Sequence, residues 1–204
     1  MSAAPVEPPL DSSAPTSLTA VADRLMEHFP GHRVEIIGGT ILVTPPPDGP
    51  HGDALSELMV PFLNAGLLGE QTRVIQGIGL WLPDGPEDYA IPDFSVVDAD
   101  YRDHLVENGC YDPAVFRLAL EVTSSNYQQD LRVKVAAYAM AKIPVYVILD
   151  RKHQRLHVLT DPVANEYDTH RVHAPGELVT LPESIGAKVT LDVTALLKAG
   201  QPRT

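Results

Sequence analysis

From Leu18 to Phe29 apolar residues recur every three or four positions, at Leu18, Val21, Ala22, Leu25, Met26 and Phe29. That spacing predicts a short amphipathic helix, stopped by Pro30-Gly31. The period then shortens to that of strands. Val34-Glu35-Ile36-Ile37 and Thr40-Ile41-Leu42-Val43 flank Gly38-Gly39, a pair able to take the positive φ of a two-residue hairpin turn. Thr44 to Gly52 holds four prolines and predicts a loop. A second helix is expected from His51 to about Leu68, with Leu55, Leu58, Met59, Phe62 and Leu63 on one side. Thr72 to Leu82 predicts a strand, with a twist or bulge at Gly77 and Gly79.

An acidic, turn-rich connection, Pro83 to Ala90, leads to Pro92-Asp93 and a short apolar strand, Phe94 to Val97. Asp98 to Asp112 is polar and is expected to be irregular or weakly helical. Phe116 to Thr123 predicts a strand, Asn126 to Lys142 a helix, and Pro144 to Leu149 an apolar strand buried on both faces. Strand, helix, strand in that order is a βαβ unit, so part of the sheet should be parallel. Further strands are expected near Leu156–Leu159, Glu166–His173 and Lys188–Leu191, and Thr190–Leu197 closes with a short helix. The fold class is therefore α/β. Residues 1–17, rich in Pro, Ser and Ala, read as a flexible tail, 18–197 as one domain, and 198–204 as a C-terminal tail.

Composition narrows the classes. The chain has 204 residues, of which 44% are hydrophobic, which suits one domain with a sizeable core. No apolar run approaches the roughly 20 residues needed to span a bilayer, and Met1 to Ser17 lacks the basic and apolar regions of a secretory signal. The single cysteine, Cys110, forms no internal disulfide and no cysteine zinc site, and a cytoplasmic location is expected. The formal net charge of −12 argues against tight non-specific DNA binding, which basic side chains drive by displacing counterions. It is compatible with a metal site, which is itself acidic.

Candidate chemistry lies in three places. Alternation along Phe116 to Thr123 places Phe116, Leu118, Leu120 and Val122 on one face and Arg117, Ala119, Glu121 and Thr123 on the other. Glu121 thus stands late in an apolar strand, where a lone carboxylate is costly unless paired or bound to a cation, and where sites of parallel α/β sheets gather. Asp93 opens the neighbouring apolar strand. Two such carboxylates could share a hard cation, and Mg2+ takes a few carboxylates plus waters. In the following helix, capped by Ser125 with Gln128 three residues on, Lys134 shares a face with Tyr127, Leu131 and Tyr138. Asp130, one turn earlier, is placed to orient it.

Ile91-Pro92-Asp93-Phe94-Ser95-Val96-Val97, Leu120-Glu121-Val122-Thr123-Ser124-Ser125, Asp130-x-x-x-Lys134-x-x-x-Tyr138 and Ile143-Pro144-Val145-Tyr146-Val147-Ile148-Leu149-Asp150, taken in order, resemble a bacterial family of putative restriction endonucleases. That family was formerly a domain of unknown function, within the PD-(D/E)XK nuclease-like superfamily. The hairpin from Glu35 to Ile41, and His51 after the proline-rich loop, look like the same family. The resemblance covers roughly residues 18–197.

It implies a restriction-endonuclease-like core, a mixed β-sheet flanked by helices, with the N-terminal helix and hairpin attached. It implies Mg2+, with Mn2+ as a substitute, held by Asp93 and Glu121, and metal-assisted hydrolysis of DNA phosphodiester bonds. Lys134 would act as the third catalytic residue. Glu35, His51, Asp130 and Thr123 would be supporting residues, Glu35 as an outer ligand or hydrogen-bond partner and His51 lining the cleft. Thr123 stands where the wider superfamily has its lysine, so Lys134 would supply that function from the helix. A homodimer would suit cutting two strands. The alternative is a non-catalytic protein of the same fold that binds a partner or ligand through the acidic pocket, which the charge of −12 favours. The pairs His28/His32, His153/His157 and His170/His173 are not expected to hold metal, Cys110 is expected to be an idle thiol, and Gly77-x-Gly79 lacks the context of a nucleotide loop.

Overall fold

The computed structural model describes residues 17–123 and 132–201. The first helix, α1 (Leu18–His28), is capped by the Ser17 side chain, which accepts from the Ala20 N–H. The hairpin follows as β1 (Arg33–Ile37) and β2 (Thr40–Thr44), with Gly38 and Gly39 both at positive φ, 58° and 68°. Its turn is held from a distance: the buried Asp88 carboxylate accepts from the N–H groups of Gly38 (2.6 Å) and Gly39 (3.2 Å).

Helix α2 (Gly49–Asn64) begins on Asp48, whose side chain accepts from the His51 N–H. It ends short of the expected Leu68 because Gly66 turns left-handed (φ 79°), which lets Leu67 double back and donate to the Phe62 carbonyl. The single strand expected over 72–82 is two, β3 (Thr72–Ile75) and β4 (Gly79–Trp81), which lie in different sheets on either side of a bend at Gly77 (φ 64°). Next come β5 (Tyr89–Ala90), β6 (Phe94–Asp98), β7 (Leu105–Glu107) and β8 (Cys110–Tyr111). Strands β7 and β8 fall where irregular chain was expected, in segments too short to show a period.

Then follow β9 (Phe116–Val122), α3 (Lys134–Met140), β10 (Val145–Asp150), β11 (Arg155–Val163), β12 (Glu166–His173), β13 (Leu178–Thr180), β14 (Thr190–Asp192) and α4 (Val193–Ala199). The expected Ser125 and Gln128 cap lies outside the described residues, as does Asp130. Helix α4 runs two residues past 197.

The central sheet has the order β12-β11-β10-β9-β6-β3. Only β9 and β10 run parallel, as the βαβ pattern requires, and their neighbours are antiparallel. A second sheet, β2-β1-β5-β4-β8-β7, and the small pair β13-β14 hold the other described strands. One face of the central sheet, with Phe94, Val96, Leu118, Leu120, Val147 and Leu149, packs on α2 and α4. The other, with Ala119, Tyr146 and Ile148, packs on α3 and on residues of the second sheet such as Ile37, Leu80 and Ala90.

The alternation expected along β9 holds only from Leu118 onward. Phe116 belongs to the α3 side, with Ala119. The register shifts between Val96, opposite Leu118, and Val97, opposite Phe116. The extra residue, Arg117, is a β-bulge that turns Phe116 to the other face, and its Nε pairs with Asp98 at 2.6 Å.

Candidate active site

The register of β6 against β9 brings the acids together. Phe94 lies opposite Leu120, so Asp93 lies beside Glu121 at the end of β9 that leads towards α3. Both face away from the α2–α4 layer. The Asp93 Oδ2 accepts from the Val122 N–H at 2.8 Å, which fixes the carboxylate against the strand. Both acids are almost fully buried, at 3% and 2% exposure.

Helix α3 supplies the next layer. Lys134 Nζ donates to Glu121 Oε1 (2.8 Å) and lies 3.0 Å from Glu35 Oε1. Tyr138, one turn on, donates its hydroxyl to the same Glu121 oxygen at 2.8 Å. Burial first, then the charges of Glu121 and Glu35, push the Tyr138 hydroxyl well above its ordinary pKa, so it stays a donor. The second sheet contributes β1. Glu35 is buried, and its Oε1 also accepts from the Ile91 N–H at 2.7 Å, tying the hairpin to the segment that precedes Asp93.

Arg33, two residues before Glu35 and so on the same face of β1, places Nη1 2.7 Å from Asp93 Oδ1 and 3.9 Å from Glu121 Oε2. Burial alone would lower the pKa of this guanidinium; Asp93, Glu121 and Glu35 outweigh it and raise the pKa further, keeping the charge fixed. From the first turn of α2, His51 brings Nε2 to 3.4 Å from Asp93 Oδ2. Its two ring nitrogens are buried, and Nε2 has Asp93 as its contact. The Arg33 contact with Asp93 is a short ion pair.

The sequence-derived residues Asp93, Glu121, Lys134, Glu35 and His51 thus converge. Thr123 is buried nearby, but its hydroxyl accepts from the Arg151 N–H, which ties β9 to the exit of β10. Arg151 in turn forms a bidentate pair with Asp48, at 3.0 Å for both contacts, and donates to the Gly200 carbonyl. The α2 cap that seats His51 is therefore anchored to the residue that follows β10. Cys110 is buried away from these groups, and burial pushes its thiol up to about 12.

The donor set suits a hard cation. Arg33 Nη1 lies 2.7 Å from Asp93 Oδ1 and 3.9 Å from Glu121 Oε2, and His51 Nε2 lies 3.4 Å from Asp93 Oδ2. Among the described residues, no three His, Cys, Asp or Glu side chains are already arranged as a cage. A cation here would rest on two carboxylates and water, the mode Mg2+ favours.

A family model described as a putative restriction endonuclease, Uma2, matches residues 23–194. The chain belongs to the Uma2 family. A crystal structure described as a putative nuclease belonging to DUF820, from Anabaena variabilis, has the same fold with a TM-score of 0.62. The alignment covers 82% of this chain and 91% of that one, at 19% identity. No curated protein matches the sequence at a significant level. The restriction-endonuclease-like α/β architecture expected from the sequence is thus observed, and no described helix of this Uma2 protein is long and apolar enough to cross a membrane.

Two residues of the site were not anticipated as its members. Helical spacing sets Tyr138 on the Lys134 face, and the structure adds its bond to Glu121. No local period in the sequence points to Arg33, because its contact depends on how β1 of one sheet meets the end of β9 in another.

Burial raises the pKa of Asp93, but His51 and Arg33 outweigh it and hold the carboxyl below the usual range. A depressed carboxylate contributes stability that is complete above its unfolded pKa, 3.8, and is lost as the pH falls through the folded value. Urea unfolding of the metal-free protein should therefore show stability dropping from about pH 4 downward. The slope of that limb should be smaller in Asp93→Asn, and an identical slope would remove Asp93 from the acid response.

Proposed function

We propose that this Uma2 protein is a divalent-metal-dependent endonuclease that hydrolyses DNA phosphodiester bonds, with Mg2+ as its cation and Mn2+ as a substitute. The observation that carries the reading is the placing of Asp93 beside Glu121 at the end of β9, both within 3.9 Å of one Arg33 nitrogen, with Lys134 against Glu121 Oε1.

Asp93 and Glu121 would hold the cation. When bound, it supplies electrophilic polarisation of the phosphate and a lowered pKa of bound water. Tyr138 and the Val122 N–H fix the orientations of Glu121 and Asp93. Lys134 is held between Glu35 and Glu121 and is suited to orient the attacking water or to stabilise charge developing on the phosphate. His51 supports Asp93. In this reading two copies act on opposite strands, and the protein works in the cytoplasm.

The test is incubation of supercoiled plasmid, single-stranded and branched DNA with purified protein and Mg2+ or Mn2+. Cleavage is expected with either metal and none with chelator. Asp93→Asn should lose roughly 10²-fold or more, beyond the cost of removing a metal ligand's hydrogen-bond partner, with an unchanged circular dichroism spectrum. The charge of −12 keeps a second reading, a non-catalytic protein that binds a partner through the same pocket. Metal binding at Asp93 with no cleavage of any substrate would select it.

A further inference from the structure

Among the described residues, three buried carboxylates, Glu35, Asp93 and Glu121, meet two side-chain cations at the site, Lys134 and Arg33. The two cations are held differently. Lys134 is 5% exposed and belongs to a helix packed on the sheet. Arg33 is 25% exposed, at the first residue of a strand, and reaches the acids through one guanidinium nitrogen. That nitrogen lies 2.7 Å from Asp93 Oδ1 and 3.9 Å from Glu121 Oε2, the two acids that would hold a divalent cation. Arg33 thus holds the acids by one short contact to Asp93 and a longer one to Glu121.

We infer that Arg33 is a displaceable counter-ion. It balances Asp93 and Glu121 until a divalent cation takes them, and is then released to bind the phosphodiester that the cation polarises. This rests on the metal-dependent reading above. A guanidinium and a divalent cation within reach of the same two oxygens repel each other, so the pair of carboxylates serves one or the other. The planar, weakly hydrated guanidinium suits a phosphate as well as a carboxylate. Its partial exposure gives it a path from one to the other. Arg33 therefore weakens metal binding in the empty site and strengthens DNA binding in the metal-loaded one.

The experiment measures Mn2+ affinity by electron paramagnetic resonance for the wild type, Arg33→Gln, Arg33→Lys and Asp93→Asn. It also measures binding of a hydrolysis-resistant phosphorothioate DNA duplex at saturating Mn2+. Arg33→Gln is expected to bind Mn2+ roughly tenfold more tightly, within the ordinary range of coupling between sites, and to bind the duplex several-fold more weakly. Arg33→Lys, which keeps the charge, should return Mn2+ affinity toward the wild-type value. Unchanged or weaker Mn2+ binding in Arg33→Gln, or unchanged duplex binding, overturns the inference. If wild type and Asp93→Asn bind Mn2+ equally, or if no variant binds it, the metal-dependent reading falls first and the role of Arg33 falls with it.

Discussion

Lys134→Met is expected to lower stability by about 3–5 kcal/mol, the cost of removing one partner from a buried ion pair. The ammonium lies 2.8 Å from Glu121 and 3.0 Å from Glu35, and both carboxylates are at most 3% exposed. A methionine fills the same space, so packing changes little and the loss comes from stranded charge. Part of it should return in the double variant Glu35→Gln/Lys134→Met, because the amide oxygen can still accept from the Ile91 N–H while one negative charge is gone. Urea unfolding of the two single variants and the double gives the coupling directly. Purely additive effects would show that Lys134 and Glu35 do not act as a pair.

Glu121→Gln should do the opposite, sparing the fold and removing the function. The amide oxygen can keep the Tyr138 and Lys134 hydrogen bonds, and Lys134 retains Glu35. What disappears is the second negative charge facing Arg33 and, in the proposed mechanism, the second ligand of the cation. Mn2+-supported cleavage is expected to fall by roughly 10²-fold or more, above the loss from an outer-shell change, with the unfolding midpoint moved far less than in Lys134→Met. Cleavage at the wild-type rate would remove Glu121 from the machinery.

These contrasts follow from which contacts the sequence makes visible. Asp93 and Glu121 were legible because each sits at a fixed place in an apolar strand, and antiparallel pairing of β6 with β9 then sets them side by side. Lys134 was legible from helical spacing. Glu35 was legible as a hairpin residue but not as a buried one, because its burial comes from β1 closing over α3 and the Ile91 segment. Arg33 reaches the acids only through that same closure, which no local period encodes.

The bulge at Arg117 was hidden for a related reason. It is set by the partner strand and by the Asp98 contact, whereas the sequence of β9 taken alone alternates without a break. Gly77 did mark a distortion, yet not that the chain leaves one sheet there and enters another. Thr123, two residues after Glu121, uses its hydroxyl to receive the Arg151 N–H. That leaves the ammonium at the site to α3.

The central claim, that Asp93 and Glu121 together hold one divalent cation, is tested most directly by a crystal structure of the protein soaked in Mn2+, read from anomalous scattering. The account predicts a single Mn2+ peak bonded to Asp93 Oδ1 and Glu121 Oε2, with Lys134 still against Glu121 Oε1 and the Arg33 guanidinium turned away. No peak at saturating Mn2+, or a peak elsewhere with Arg33 still on Asp93, would contradict it.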